Sequence, residues 1–302
     1  MTNMGSLHHL MEGSMLSVKK PQDKWPVFVT VFIFSLQILG LFLPVLFTIV
    51  LALLILYICG STAAFQHHHG HCAVFHNKRS NEVLDSIMSL QTGITPYAWV
   101  LHHNIGHHGN YMNQYPIKGE EILDASNWTR EDGSVMNRWE YVWYNRVRMH
   151  ERCSEVGQKA QKIFHKYIFF RRINFVLTAL FLGLGFAVGS WFGLLSALIL
   201  FVAIPQFIVL FVFETTYDHH SGLFTENKYE ASRNILGSFY NFSRLNLGYH
   251  TAHHVKPGLH WSDLPEYHAT IQEEIPKELI DNEGSFWSSL VRTIASKPAP
   301  SK

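Results

Sequence analysis

Charge is scarce in this sequence of 302 residues. Charged side chains make up 16% of it, and the formal net charge is +1, whereas charged residues make up roughly 25% of an ordinary soluble domain. A chain so close to neutrality offers no electrostatic basis for binding nucleic acid. Hydrophobic residues reach 47% and are concentrated in two blocks, a combination that predicts an integral membrane protein.

Cysteine is scarce too, and some common metal motifs are missing. Cys59, Cys72 and Cys153 are odd in number and form no Cys-x-x-Cys, which argues against a disulfide framework, a zinc ribbon or an iron–sulfur cluster. Glu-x-x-His, the usual ligand motif of soluble di-iron proteins, does not occur. Ligand-spaced carboxylates for a two-His-one-carboxylate iron site are also missing.

The two apolar blocks predict an all-α membrane protein with four spans arranged as two hairpins. The first block, residues 25–65, would form a helix about 60 Å long, twice the bilayer core of about 30 Å. Pro44 and the stretch from Gly189 to Gly193 mark the two turns, and Pro205 is expected to kink the last span. The predicted spans are residues 25–41, 44–64, 173–188 and 191–213.

Basic residues predict the orientation of these spans. They precede the first and third spans, and the two short turns carry none; they are Lys19, Lys20, Lys24, Arg171 and Arg172. Residues 1–24 are therefore expected to form a cytoplasmic arm, with no cleavable signal peptide. Residues 25–283 are expected to form one membrane domain with a helical cytoplasmic cap, and residues 284–302 a loose tail.

Histidine is abundant, with 20 residues, and none lies within a predicted span. The most informative group is His250-x-x-His253-His254, because positions i, i+3 and i+4 share one face of a helix. Its three imidazoles are expected to converge on one point and to bind a metal ion, for which neutral imidazole is the commonest ligand.

Three further clusters precede this one in the sequence. His67 and His71 are one helical turn apart, His103, His107 and His108 give an HxxxHH spacing, and His219-His220 follows the fourth span. Each cluster alone is a weak signal. Together they give nine neutral ligands, which exceeds what one metal takes and suits two ions: His67, His71, His103, His107, His108, His220, His250, His253 and His254.

With these motifs the chain resembles the membrane-bound fatty acid desaturase and hydroxylase superfamily, from about Trp25 to His268. The superfamily's first box is HxxxH, its second HxxHH or HxxxHH, and its third HxxHH. The third box is commonly preceded by Asn-x-Gly-x and followed by Leu-Pro-x-x-His. This chain has Asn246-Leu-Gly-Tyr-His250 before the third box and Leu264-Pro-Glu-Tyr-His268 after it.

The resemblance implies a non-haem di-iron enzyme that uses O2 on unactivated C–H bonds of an acyl chain, most simply as a fatty acid desaturase. It implies the nine histidines as ligands, with His219 as the rival of His220. Asp218 and Asn246 are expected to orient ligands, and His268 to have a structural role. The remaining histidines are expected at the surface, in caps or in hydrogen bonds: His68, His69, His76, His102, His150, His165 and His260.

The implied partners are the lipid bilayer, the acyl substrate and a separate electron-transfer protein of the ferredoxin, rubredoxin or cytochrome b5 type. A separate donor is needed because the chain has no His-Pro-Gly-Gly. The implied location is a multi-pass protein of the bacterial inner membrane or the endoplasmic reticulum, with its active site on the cytoplasmic face.

Several alternative functions remain open from the sequence. Hydroxylation and oxidative decarboxylation to a terminal alkene belong to the same superfamily. A metal transporter would need polar or ionisable ligands inside the spans, where this chain has no His, Asp, Glu, Lys or Arg. A zinc hydrolase would need three ligands and a general-base Glu, and the surplus of histidine disfavours it.

Overall fold

The computed structural model describes residues 16–114 and 123–282. Most of the chain is helical, as expected, and its elements are α1 (Lys24–Gly40), α2 (Val45–His71), α3 (Lys78–Thr92), a π-helix (Trp99–His107), α4 (Arg138–Lys159), α5 (Gln161–Leu198), a short π-helix (Ile199–Ala203), α6 (Ile204–His220), β1 (Asn234–Ile235), α7 (Ser238–Ser243), α8 (His250–Val255), α9 (Leu264–Ile271) and β2 (Ile280–Asp281). Residues 1–15 of the predicted arm and the predicted tail lie outside the described residues.

Two elements depart from the all-α expectation. The strands β1 and β2 pair in parallel, with Asn234 opposite Ile280 and Ile235 opposite Asp281. They have two residues each, so they join two loops by a short pairing and do not form a sheet with its own core.

Three helical segments within the described residues are long and apolar enough to cross a membrane. They are Pro21–Gly40, Val45–His71 and the 60-residue segment Gln161–His220. Their apolar side chains are largely exposed, and Leu53 and Leu54 are each 68% exposed, as expected of helices that face lipid and not water. The division into four membrane spans stays a prediction.

The longest of these segments reverses direction at Ser190. This residue has a non-helical conformation with φ 52° and ψ −135°, and the backbones of Gly185 and Gly193 meet across the turn. Phe181 stacks on Phe201 at 4.3 Å between ring centroids, which only an antiparallel pair allows. The expected kink at Pro205 takes a different form: Pro205 is the second residue of α6, directly after the short π-helix.

The chain divides into two compact units. The first contains residues up to Pro96 together with Phe169–Gln206. Its helices are tied by buried polar contacts: Gln37 Nε2 donates to the Leu200 carbonyl at 3.0 Å, and the Thr48 hydroxyl lies 3.2 Å from that of Ser196. In an apolar environment such hydrogen bonds fix which helices pair, because an unpaired amide or hydroxyl is costly there.

The second unit contains Tyr97–Ile168 and the residues from Phe207 onward. In it α4 packs on the π-helix Trp99–His107. Asn137 and Glu140 form a capping box at the start of α4, and Trp128 and Tyr141 are each 1% exposed. This packing holds the π-helix, which carries the second histidine box, against α4.

The contact at Ser190 yields a stability prediction. A Cβ on Gly193 would lie 2.0 Å from the Gly185 carbonyl oxygen, so Gly193→Ala must spread the two helices. We expect it to destabilise the detergent-solubilised protein by about 1–3 kcal/mol, as overpacking does, measured as a lower Tm. The matched control is Gly183→Ala, where nothing lies within 4 Å of the new methyl; an unchanged Tm for Gly193→Ala would contradict the close approach.

Candidate metal centre

The second histidine box lies on a π-helix, a helix type that its HxxxHH spacing did not predict. The amide of His108 donates to the His103 carbonyl at 2.8 Å, the i→i+5 bond of that helix type. His103 and His108 therefore share one face, and their Nε2 atoms are 2.9 Å apart. His107 points elsewhere, toward His220, with ring centroids 4.8 Å apart.

The first group of imidazoles in the second unit, here called the His108 cluster, consists of His103, His108 and His253. Their ligand nitrogens all lie within 4.8 Å of one another. His108 Nε2 lies 2.9 Å from His253 Nε2, so α8 and the π-helix contribute to the same point.

The second group, here called the His220 cluster, consists of His107, His220, His250 and His254. His107, His220 and His254 place their nitrogens within 4.8 Å of one another. His250 joins them, because its Nε2 lies 2.9 Å from that of His220 and 3.2 Å from that of His254.

The expectation that His250, His253 and His254 converge on one point is therefore wrong. His250 and His254 are four residues apart and belong to the His220 cluster, whereas His253 belongs to the His108 cluster. On α8 the two directions differ because i+3 and i+4 fall on opposite sides of residue i. One short helix thus serves two neighbouring clusters.

The nitrogen–nitrogen distances fit ligands that share a metal ion. A His nitrogen binds an ion such as zinc at about 2.0–2.1 Å, so two ligands at right angles lie about 3 Å apart. Four of the Nε2–Nε2 separations within the two clusters are 2.9–3.2 Å. In addition, Nε2 of His107 is buried and has no hydrogen-bond partner among the residues that the structure describes, as a ligand nitrogen requires.

His67 and His71 lie in the first unit, on the last turn of α2. Their ring centroids are 5.2 Å apart, and each offers a nitrogen within 4.8 Å of the other. The i, i+4 spacing of the sequence is thus realised as a pair that could hold one ion jointly.

Hydrogen bonds to Nδ1 fix the tautomers of two ligands. Asp124 is fully buried, and its carboxylate accepts from His107 Nδ1 at 2.8 Å. The Ala231 carbonyl accepts from His220 Nδ1 at 2.9 Å. Since carbonyls and carboxylates only accept, both imidazoles carry their proton on Nδ1 and keep the Nε2 lone pair for the cluster.

Asp124 was missed by sequence reasoning. It lies 17 residues beyond His107, in a polar stretch with no metal motif. Its position is fixed by Gln114 Nε2, which donates to Oδ2 at 2.8 Å, and by the Ser126 amide, which donates to Oδ1 at 2.8 Å. No signal in the sequence marks it, because the contact depends on how the loop folds back on the π-helix.

Burial favours the neutral form of His254. The pKa of His254 is held well below its ordinary value, first by burial and then by the neighbouring His108 and His220. Neutral imidazole is the form that binds metal, so the environment favours ligation at neutral pH.

The structure distinguishes the surroundings of His219 and His220. His219 Nδ1 donates to the Arg233 carbonyl at 2.9 Å, and its Nε2 lies 3.2 Å from the Tyr240 hydroxyl. Both ring nitrogens are thus used within the protein, while the ring stacks on His250 at 3.9 Å. His220, by contrast, presents its Nε2 to the His220 cluster.

The two polar residues expected to orient ligands make other contacts. The Asp218 carboxylate pairs with Arg138, while the acceptor at His220 Nδ1 is Ala231. Asn246 Nδ2 donates to the Trp261 carbonyl at 3.1 Å, which ties the loop before α8 to the loop after it.

Gly248, in the Asn-x-Gly-x-His stretch, permits a close approach of two loops. A Cβ at this position would lie 1.9 Å from the Ile235 carbonyl oxygen. Three residues beyond Gly248, Thr251 is held by Asn234 of β1. The Asn234 side chain accepts from the Thr251 amide at 3.0 Å and donates to the Thr251 hydroxyl at 2.8 Å. Strand β1 therefore positions the first turn of α8, where His250 lies.

Several of the remaining histidines make structural contacts. The Val74 amide donates to His69 Nδ1 at 3.3 Å, His150 Nδ1 lies 2.9 Å from the Tyr167 hydroxyl, and the Ser262 amide donates to His260 Nδ1 at 3.2 Å. Burial lowers the pKa of His102 to about 4 and also lowers that of His268, so both are neutral packed rings at pH 7.

Comparison with known proteins agrees with this geometry. A family model described as fatty acid desaturase matches residues 20–281. No curated protein and no solved structure matches the chain. The matched range contains both apolar blocks, the His67–His71 pair and every member of the two clusters. The chain therefore belongs to the fatty acid desaturase family.

Proposed function

We propose that this protein is an O2-dependent di-iron oxidoreductase that desaturates a fatty acyl chain. Family membership indicates an oxidoreductase, and three apolar helices indicate a membrane protein. The observation that carries the proposal is the pair of imidazole clusters, in which nitrogens lie 2.9–3.2 Å apart as ligands of one ion do. The proposed ligands are His67, His71, His103, His107, His108, His220, His250, His253 and His254.

Iron suits this donor set better than zinc does. The nine proposed ligands give more than four per ion when two ions share them, whereas zinc is held by four protein ligands in a structural site and three in a catalytic one, and imidazole is a good ligand of iron. Iron held in this way supplies the activation of O2 and the removal of hydrogen from an unactivated C–H bond.

The residues of the chain have three tasks in this chemistry. Asp124 and the Ala231 carbonyl hold His107 and His220 in the tautomer that presents Nε2. Burial of His250, His253 and His254, none more than 6% exposed, shields the α8 side of the clusters from water. The apolar helices are proposed to enclose the acyl tail and so to select the carbon that reacts.

The proposal includes three further elements that the sequence implies. Electrons come from a separate protein of the ferredoxin, rubredoxin or cytochrome b5 type. The active site faces the cytoplasm, as the basic residues before the first and third spans favour. The context of the third box favours an acyl desaturase over the alkane-hydroxylase branch, and desaturation, hydroxylation and oxidative decarboxylation give different products.

The reaction is tested by mass spectrometry of lipids and hydrocarbons from cells that express the chain with a set of electron donors. We expect a new internal double bond. His253→Ala should abolish its formation, because His253 is the member of the His108 cluster that α8 contributes. The matched control is His76→Ala, at an exposed histidine. A hydroxylated chain, or a terminal alkene shorter by one carbon, would instead assign the other reactions.

The metal is tested by elemental analysis of the purified protein. We expect close to two irons per chain, and a lower content for His253→Ala in protein that still inserts into the membrane. A constant content of one zinc, after growth with either metal in excess, would contradict the di-iron assignment.

Asp124 is tested through metal affinity. We expect Asp124→Asn to weaken metal binding about 10–100-fold, the usual cost of losing a hydrogen-bonded carboxylate behind a His ligand. The effect arises because an amide lacks the charge that makes His107 a strong donor, and because its NH2 group can face the Gln114 donor. Competition with a chelator measures the loss, and Asp132→Asn, at a carboxylate in an exposed turn, provides the control.

A further inference from the structure

Two large apolar side chains are exposed on α7, outside every predicted membrane span. Phe239 is 56% exposed and Phe242 is 75% exposed, and as i and i+3 they share one face of the helix. No charged residue occurs from Asn234 to Ser243. An exposed pair of phenylalanines in an uncharged segment marks an interaction surface.

The opposite face of α7 is fixed to the metal centre. Tyr240 is buried, and its hydroxyl contacts His219 Nε2 at 3.2 Å. Asn241 Nδ2 donates to the Ile235 carbonyl at 2.9 Å, and its Oδ1 accepts from the Gly248 amide at 3.1 Å. Movement of α7 would therefore displace the supports of α8 and its histidines.

Arg244, the residue that follows α7, contacts α6 and so shows which part of α6 lies beside this segment. The Arg244 guanidinium lies over the Phe211 ring, 5.1 Å from its centroid. Phe211 precedes His220 by about 14 Å of helix, at about 1.5 Å per residue. It also precedes Glu214, the first charged residue of α6, and so belongs to the apolar part of that helix.

From these contacts we propose that α7 is a membrane anchor whose Phe239 and Phe242 insert into the lipid bilayer beside α6. The occupant is lipid because the segment adjoins the apolar part of a candidate membrane span, where Phe207 is also 52% exposed. The surface offers no charge for a polar partner, whereas short apolar helix faces bind at the boundary between headgroups and acyl chains.

The consequence of this anchor is a fixed distance between the bilayer and the third histidine box. Phe239 and Phe242 contact lipid on one side of α7, while Tyr240 and Asn241 hold His219 and Gly248 on the other. The depth of α7 thus sets how far a lipid-embedded acyl chain must rise to meet the His220 cluster. This role is independent of which oxidation the centre performs.

The anchor is tested by spin labelling of the full chain in phosphatidylcholine–phosphatidylglycerol nanodiscs. A nitroxide is attached at Phe242→Cys in a Cys72→Ser background, because Cys59 and Cys153 are buried whereas Cys72 is only half-buried. Power saturation then compares collisions with O2, which concentrates in lipid, and with a water-soluble nickel chelate. The background protein without the introduced cysteine measures residual labelling.

We expect the label at position 242 to collide more with O2 than with the nickel chelate. The matched control is Glu226→Cys, at an exposed residue of the second unit, for which the order should reverse. Phe239→Cys repeats the measurement and guards against misfolding of one variant. Accessibility of positions 239 and 242 to the nickel chelate as high as that of position 226 would overturn the anchor and indicate a surface for a soluble partner.

Discussion

The burial of neutral imidazole is the constraint on which this structure depends. Each ring has one donor nitrogen and one acceptor nitrogen, and a buried polar atom left unpaired costs about 1–3 kcal/mol. In this fold the Nδ1–H groups of His107 and His220 donate hydrogen bonds to the Asp124 carboxylate and to the Ala231 carbonyl. The Nε2 lone pairs of these two rings then face the His220 cluster, an arrangement that is favourable when a cation lies there.

The number of clusters follows from local helix geometry. On the π-helix, His103 and His108 share a face and His107 leaves it. On α8, His250 and His254 share a face and His253 leaves it. The second and third boxes are thus each divided between the two clusters, so that neither cluster forms unless the π-helix and α8 are both in place. This coupling explains why the supports of α8, from Asn234 to Gly248, are densely hydrogen-bonded.

Polar contacts have a different purpose in the apolar helices. Gln37, Thr48 and Ser196 tie neighbouring helices together where lipid supplies no hydrophobic driving force. The close approach of Gly185 to Gly193 does the same by shape. Helix pairing in the first unit is therefore fixed by a few hydrogen bonds and by two glycines that let the backbones approach closely. The exposed leucines and phenylalanines remain available to face lipid.

The sequence by itself determined the apolar helices, the family and the residue types of the centre, because hydropathy and ligand chemistry are properties of single residues and short spacings. It also placed a reversal between Gly189 and Gly193. Only the tertiary structure decided that the HxxxHH box forms a π-helix, that His253 separates from His250 and His254, and that both nitrogens of His219 are occupied. It alone brought Asp124 to His107. These features depend on packing between segments distant in sequence, and a spacing such as i, i+4 fits an α-helix and a π-helix alike, so no local pattern could specify them.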